Sequence, residues 1–284
     1  MHGELAELAA LAAYGSVYLA DNALAPPELF PTASVFKYTN GVEFHRSARR
    51  FGVLPTNIVV GSSCAAWYSD LRNRGAVSLR LARVDIAART GEFPALPAHV
   101  GTAFANGVPA ALVAHFGEQS RESWTGNWAV TIPKHPEQRI WSARFYGSPT
   151  DITLREGPSL SAATQRLDRA LAEVSAFAAG HSPLEDWNKV FLTARALLSS
   201  NAPEIPYHPD MLPPNGYSLT ARRLVAAASA AWVFGGMGSW NDIAVGDPVR
   251  YQVVTAELFE AVFDAVLAGT NSGGVATKTA RSRN

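Results

Sequence analysis

"NWAVTIPKHPEQRIWSARFYGSPTDITLREGPSL", residues 127–160, holds the change of period that decides the fold. Its first part alternates. Trp128, Val130 and Ile132 share one face, and after the turn-rich "PKHPEQ" so do Trp141, Ala143 and Phe145. Alternation of this kind marks half-buried strands, here the two arms of a hairpin. Beyond "GSPTDITLREGP" the spacing becomes helical, with Leu160, Leu167, Leu171, Val174 and Phe177 on one stripe.

Working back from the hairpin, "AALVAHF" (110–116) reads as another strand and residues 85–107 as loop. "GVLPTNIVVGSSCAAWYSDLRNRGAVSLRLARV" (52–84) reads as strand, helix, strand. Ser62 or Ser63 can cap that helix and Gly75 can end it. "SVFKYTNGVEFHR" (34–46) reads as a tight hairpin turning at Asn40-Gly41, because that dipeptide favours positive φ at both turn positions. Residues 4–22 read as an N-terminal helix.

Working forward, "SPLEDW" suggests a helix capped by Ser182, with Pro183 in its first turn and Glu185 as capping-box partner. Trp187, Val190, Phe191, Ala194 and Leu198 would form its apolar stripe. "NAPEIPYHPDMLPPNG" (201–216) has five prolines in sixteen residues, so it should be a stiff connector. A third helix is expected from Ser218 to Phe234. A fourth starts at Asp247-Pro248, with Val254, Leu258, Val262 and Val266 recurring every four residues.

Strands first and helices later point to an α+β fold. The expected architecture is an N-terminal helix and a mainly antiparallel sheet with one strand-helix-strand unit, then a C-terminal bundle of about four helices. The expected boundaries are 1–150 for the sheet region and 151–270 for the helical region, either as two domains or packed as one unit. Residues 271–284, low in apolar content, are expected to form a mobile tail.

The 284 residues carry 24 basic and 24 acidic side chains. That balance offers no overall pull toward nucleic acid or anionic membranes. Arg46, Arg49 and Arg50, and Lys278, Arg281 and Arg283 in the tail, are short clusters that read as solvated surface. The apolar N-terminus lacks a basic leader and is interrupted by Glu4 and Glu7, so it does not read as a secretion signal. The one cysteine rules out an internal disulfide and fits a reducing compartment. Cytoplasmic localisation is the expectation.

Candidate chemistry is sparse. Cys64 falls in the first helical turn after a strand and a glycine, where the helix N-terminus favours an anion or a thiolate. A small buried cysteine is the plainer reading. The seven histidines form no metal-binding pair; His45 and His115 fall on expected strands, where a satisfied sheet-face histidine is the plainer reading, and His115 is the candidate base. No metal and no cofactor are expected. Trp124 lies next to Arg121 and could anchor a partner. Finally "GGMGSWND" (235–242) fills a connection of about twelve residues, where helix pairs usually need two to eight. Its glycines stop a helix but leave Trp240, Asn241 and Asp242 to be explained. Trp240 is expected to plug the loop into the core, and Trp124, Trp240, Asn241 and Asp242 are the candidates for ligand or partner binding.

With no catalytic constellation and several aromatic anchors, the leading expectation is a bacterial-type accessory protein that binds another protein, such as an inhibitor or immunity protein. The rivals are a small-molecule hydrolase or transferase using Cys64, a histidine such as His115, and Asp242, and a ligand-binding regulator without chemistry.

Overall fold

A computed structural model describes residues 1–48, 56–84, 107–117, 120–149, 153–235 and 238–274. The fold is α+β, with six α-helices and a seven-stranded sheet among these residues. Helix α1 is Gly3–Ala20. Strands β1 (Thr39–Ala48) and β2 (Thr56–Gly61) follow, then α2 (Cys64–Asn73) and β3 (Ser78–Val84). β4 (Ala110–Phe116), β5 (Ser120–Val130), β6 (Trp141–Pro149) and the short β7 (Leu154–Arg155) complete the sheet. The helical half is α3 (Leu160–Ala179), α4 (Glu185–Leu197), α5 (Leu219–Ala230) and α6 (Pro248–Asn271).

The sheet order is β2-β1-β6-β5-β4-β3-β7. Every pairing is antiparallel except β1 with β6, which is parallel. The strand-helix-strand unit therefore spans the sheet, since β2 lies at one edge and β3 beside the other. β5 and β6 form the expected hairpin, from Glu122 opposite Pro149 to Val130 opposite Trp141.

The Asn40-Gly41 turn does not form. Both residues lie inside β1, and neither has positive φ. Residues 34–36 make a 3₁₀ turn that buries Val35 and Phe36, so no strand precedes the dipeptide to pair back on it. Pairing with β6 runs through the site instead, with an irregular register between Thr39 and Gly41. The Asn40 amide donates to Arg139 O and Thr131 Oγ1, both at 2.9 Å. Its side chain thus holds the β5–β6 loop rather than making a turn of its own.

Helix α1 is buried almost all round, with thirteen of eighteen residues in the core, which suits its alanine-leucine composition. It packs on β3 and β4 on one side and touches α6 on the other. Close approach is possible because Gly15 has no side chain: a Cβ there would lie 2.6 Å from Leu79 Cδ2. One hydrophobic cluster includes Phe44 and Trp124 of the sheet and Trp240 and Phe259 of the helices.

Four helices are capped as their sequences require. Ser63, Ser159, Ser218 and Asp247 each accept a backbone N–H three residues on. The cap expected at Ser182 is absent. Residues 182–184 form a 3₁₀ turn, and α4 begins at Glu185 without a side-chain cap. Glu185 and Asp186 in its first turn complement the helix dipole instead. Helix α5 ends at Ala230, four residues before the expected Phe234. In α6, Val254, Leu258, Val262 and Val266 are all buried, as their spacing of four demands. The loop expected at 85–107, apart from Gly107, lies outside the described residues. So do Arg49, Arg50, Lys278, Arg281 and Arg283.

Candidate functional site

The connection between α5 and α6 folds around Trp240. After Ala230 the chain turns at Ala231 and carries no regular structure from Trp232 to Gly235, with Gly236 and Met237 outside the described residues. Gly238 takes φ +80°, and Ser239 caps a 3₁₀ turn, Trp240–Asp242. The turn is closed twice: Trp240 N–H reaches Val233 O at 3.3 Å, and Gly238 N–H reaches Asp242 Oδ2 at 2.8 Å. The Trp240 ring is fully buried. It meets Phe191 and Trp187 edge to face, at 5.1 and 5.8 Å between centroids, and Tyr251 at 5.2 Å. Its Nε1–H donates to buried Thr255 at 2.8 Å, and the Tyr251 hydroxyl donates to its carbonyl. Burial, then nearby Asp242, pushes the Tyr251 hydroxyl up to about 12, so it stays a donor. Trp240 is therefore a plug, unable to touch a partner.

The plug props up a wall. Trp187, Trp232, Phe234 and Tyr207 line a surface groove of about 320 Å³, with Val190 and Ser239 beside them. Behind it, Trp240 backs Trp187, while Phe259 backs Trp232 and Phe234 at 6.4 and 5.2 Å. Rings pinned from behind hold their orientation before anything arrives, which lowers the entropy lost on binding.

Tyr207 is different from the rest. It is 82% exposed and sits at φ +66°. A bulky residue in the left-handed region is an outlier that its surroundings must enforce. The surroundings here are rigid: Pro206 O accepts from Ser229 Oγ at 3.1 Å, and Ile205, Met211 and Leu212 anchor the connector in the core. The chain holds a tyrosine ring out into solvent at the edge of the groove.

The other residues singled out from the sequence are scattered. Cys64 is fully buried. Burial and then the neighbouring Glu28 carboxylate push its thiol up, which disfavours a thiolate. The anion position at this helix N-terminus is already filled, because Glu28 accepts the N–H groups of Cys64 and Ala65 at 3.2 Å each. Trp124 is also fully buried, packed against Trp67 and Phe44 and lying over Gly147; no partner can reach it. His115 Nε2 lies 3.0 Å from Glu156 at the far end of β4, and this contact holds the Glu156 carboxyl below its usual range. Asp242 is exposed and Asn241 partly so, and Asn241 Oδ1 finds no hydrogen-bond partner among the described residues. No hydrogen bond or ion pair joins Cys64, His115 and Asp242 to one another, so the structure does not assemble the constellation an enzyme using them would need.

Among the described residues no group of three or more His, Cys, Asp and Glu side chains could hold a metal ion, and no helix is long and apolar enough to cross a membrane.

Two features escaped the sequence reading. Trp187 fell into a helical stripe, and Tyr207 and Trp232 had no periodic signal at all. In the sequence Glu7 only interrupts an apolar run, yet it is buried in the core. Its carboxyl lies 2.7 Å from Thr39 Oγ1 and 2.6 Å from Trp128 Nε1, and burial pushes it up to about 8. No family model, curated protein or solved structure matches this chain.

Proposed function

We propose that this protein acts by binding another protein, with the aromatic groove between α4, the proline-rich connector and the α5–α6 loop as the centre of the contact. The observation that carries the reading is Tyr207: a large, amphipathic ring held out in solvent by a strained backbone. Tyrosine and tryptophan dominate the energetics of protein interfaces. A stable interface buries about 800 Å² per partner, so the groove would seat one or two anchoring side chains at its middle. Asn241 and Asp242, on the polar side of the neighbouring loop, belong to its rim. An inhibitor or immunity protein would work in this way, and the single buried cysteine suits a cytoplasmic setting.

The test is Tyr207→Asn. Asparagine tolerates the left-handed conformation, so the variant should melt within a few degrees of wild type while losing the ring. Tagged wild-type protein should retain a specific partner from its native host. The variant should lose at least about 2 kcal/mol of affinity, roughly thirtyfold. Undiminished capture by Tyr207→Asn would refute the groove as the contact.

A further inference from the structure

The chemistry of the groove narrows what it can hold, and the argument rests on the binding reading above. Its walls present four aromatic rings from three separate segments: Trp187 on α4, Tyr207 on the connector, Trp232 and Phe234 after α5. None of its lining residues is charged. The segments that build it carry exposed acids: Glu185 and Asp186 in the turn that leads to Trp187, Glu204 three residues before Tyr207, and Asp242 beside Ser239. Against these stand Lys189, paired with Asp186 at 2.9 Å, and Arg195 further along α4, paired with Asp168 at 2.7 Å. His208, next to Tyr207, is held neutral at ordinary pH, since burial pulls it down to about 4. Asp210 faces away, accepting from the Ser34 backbone at 2.9 Å.

We infer that the group this groove takes is a cation, the side chain of an arginine or lysine projecting from the partner protein. Ring faces carry negative potential and attract a desolvated cation, more strongly for an indole than for other rings. An arginine adds a flat surface that stacks on them and a fork of donors that pairs with carboxylates, which these segments carry. An uncharged apolar side chain would gain from the rings but nothing from the acids. The acids would also slow the approach of an anionic partner and speed that of a basic one.

The inference can be tested without knowing the partner. The probes are tetramethylammonium chloride and N-acetyl-arginine methylamide. Their uncharged counterparts are neopentyl alcohol and N-acetyl-citrulline methylamide. Each is titrated at constant ionic strength while the indole N–H resonances of Trp187 and Trp232 are followed by NMR. The cations should shift both resonances saturably and bind at least about tenfold more tightly than the uncharged probes. Tyr207→Asn should weaken the cations at least about threefold, and Glu185→Gln combined with Glu204→Gln should weaken them while leaving the uncharged probes unaffected. Equal or tighter binding of neopentyl alcohol would overturn the cation and leave the groove as an apolar anchor site. Failure of every probe, with partner capture still sensitive to Tyr207→Asn, would likewise overturn the cation alone. Failure of every probe with capture insensitive to Tyr207→Asn would overturn the binding reading as well.

Discussion

Replacing Trp240 by alanine is expected to lower the stability of the protein by about 3–5 kcal/mol, the range for a fully buried tryptophan. The ring touches Trp187, Phe191 and Tyr251, and these come from α4 and α6, so the vacated space cannot close by moving one helix. A second cost adds to the first. Thr255 is fully buried and accepts the indole N–H, and losing that hydrogen bond costs about 0.5–1.5 kcal/mol, since the Tyr251 hydroxyl also hydrogen-bonds Thr255. Trp240→Phe keeps part of the packing while removing the N–H, so it should retain more of the packing term than alanine does. Denaturant titration of both variants should place Trp240→Phe between wild type and Trp240→Ala. A loss below about 1 kcal/mol for Trp240→Ala would mean that the loop is not plugged into the core. The groove should suffer too, since Trp187 would lose the ring behind it.

The second large effect concerns Glu7 and runs with pH. In the unfolded chain this carboxyl titrates near 4.5, and in the folded protein near 8. Between those values the native state keeps a proton that the unfolded state releases. Its contribution is therefore fully present below pH 4.5, falls as pH rises, and is gone above about 8. A shift of this size corresponds to up to about 5 kcal/mol across the window. Glutamine should imitate the protonated acid. Its carbonyl can accept from Trp128 and its amide can donate to the Thr39 oxygen, so both contacts survive. Glu7→Gln should match wild type within about 1 kcal/mol at pH 5 and exceed it by several kcal/mol at pH 8. His2, lowered to about 4 by burial, titrates in both proteins, whereas the nearby Glu4, raised by burial, adds to the Glu7 shift through its charge and so contributes to the difference. Stability curves that stay parallel from pH 5 to pH 8.5 would show that Glu7 ionises freely in the folded state.

What the sequence made legible was local. The stripe at Val254, Leu258, Val262 and Val266 is a property of one helix and is buried as read; the β5–β6 hairpin also forms, but its alternating face is only partly covered, with Ala143 and Phe145 buried, Trp128 half-buried, Val130 and Trp141 exposed, and Ile132 exposed beyond the end of β5. Of the two candidates Ser62 and Ser63 it is Ser63 that caps α2, and the helices read as starting at Ser218 and Asp247 do start there, each of these residues accepting a backbone N–H three residues on. Asn40-Gly41 failed for the opposite reason. Its turn preference is worth less than pairing with β6, a strand a hundred residues away, and the sequence around it contains no trace of that partner. Ser182 failed more narrowly, because a 3₁₀ turn displaced the helix start to Glu185. The role of Trp240 as a plug was readable from a loop too long and too apolar to be a mere connection. The groove in front of it was not. Its rings come from positions 187, 207 and 232, and only the packing of α4, the connector and the post-α5 segment brings them together. Tyr207, flanked by Pro206 and His208-Pro209, looked like part of a linker.

The central claim is that the partner sits at Tyr207, and site-specific photo-crosslinking tests it most directly. A benzophenone-bearing phenylalanine replaces Tyr207 in one protein and Val59 in another. Val59 is 58% exposed on β2, the far edge strand of the sheet. Irradiated in the native host, the protein labelled at 207 should form one dominant crosslinked protein product, and the protein labelled at 59 should not. Crosslinking at 59 with none at 207 would contradict the account.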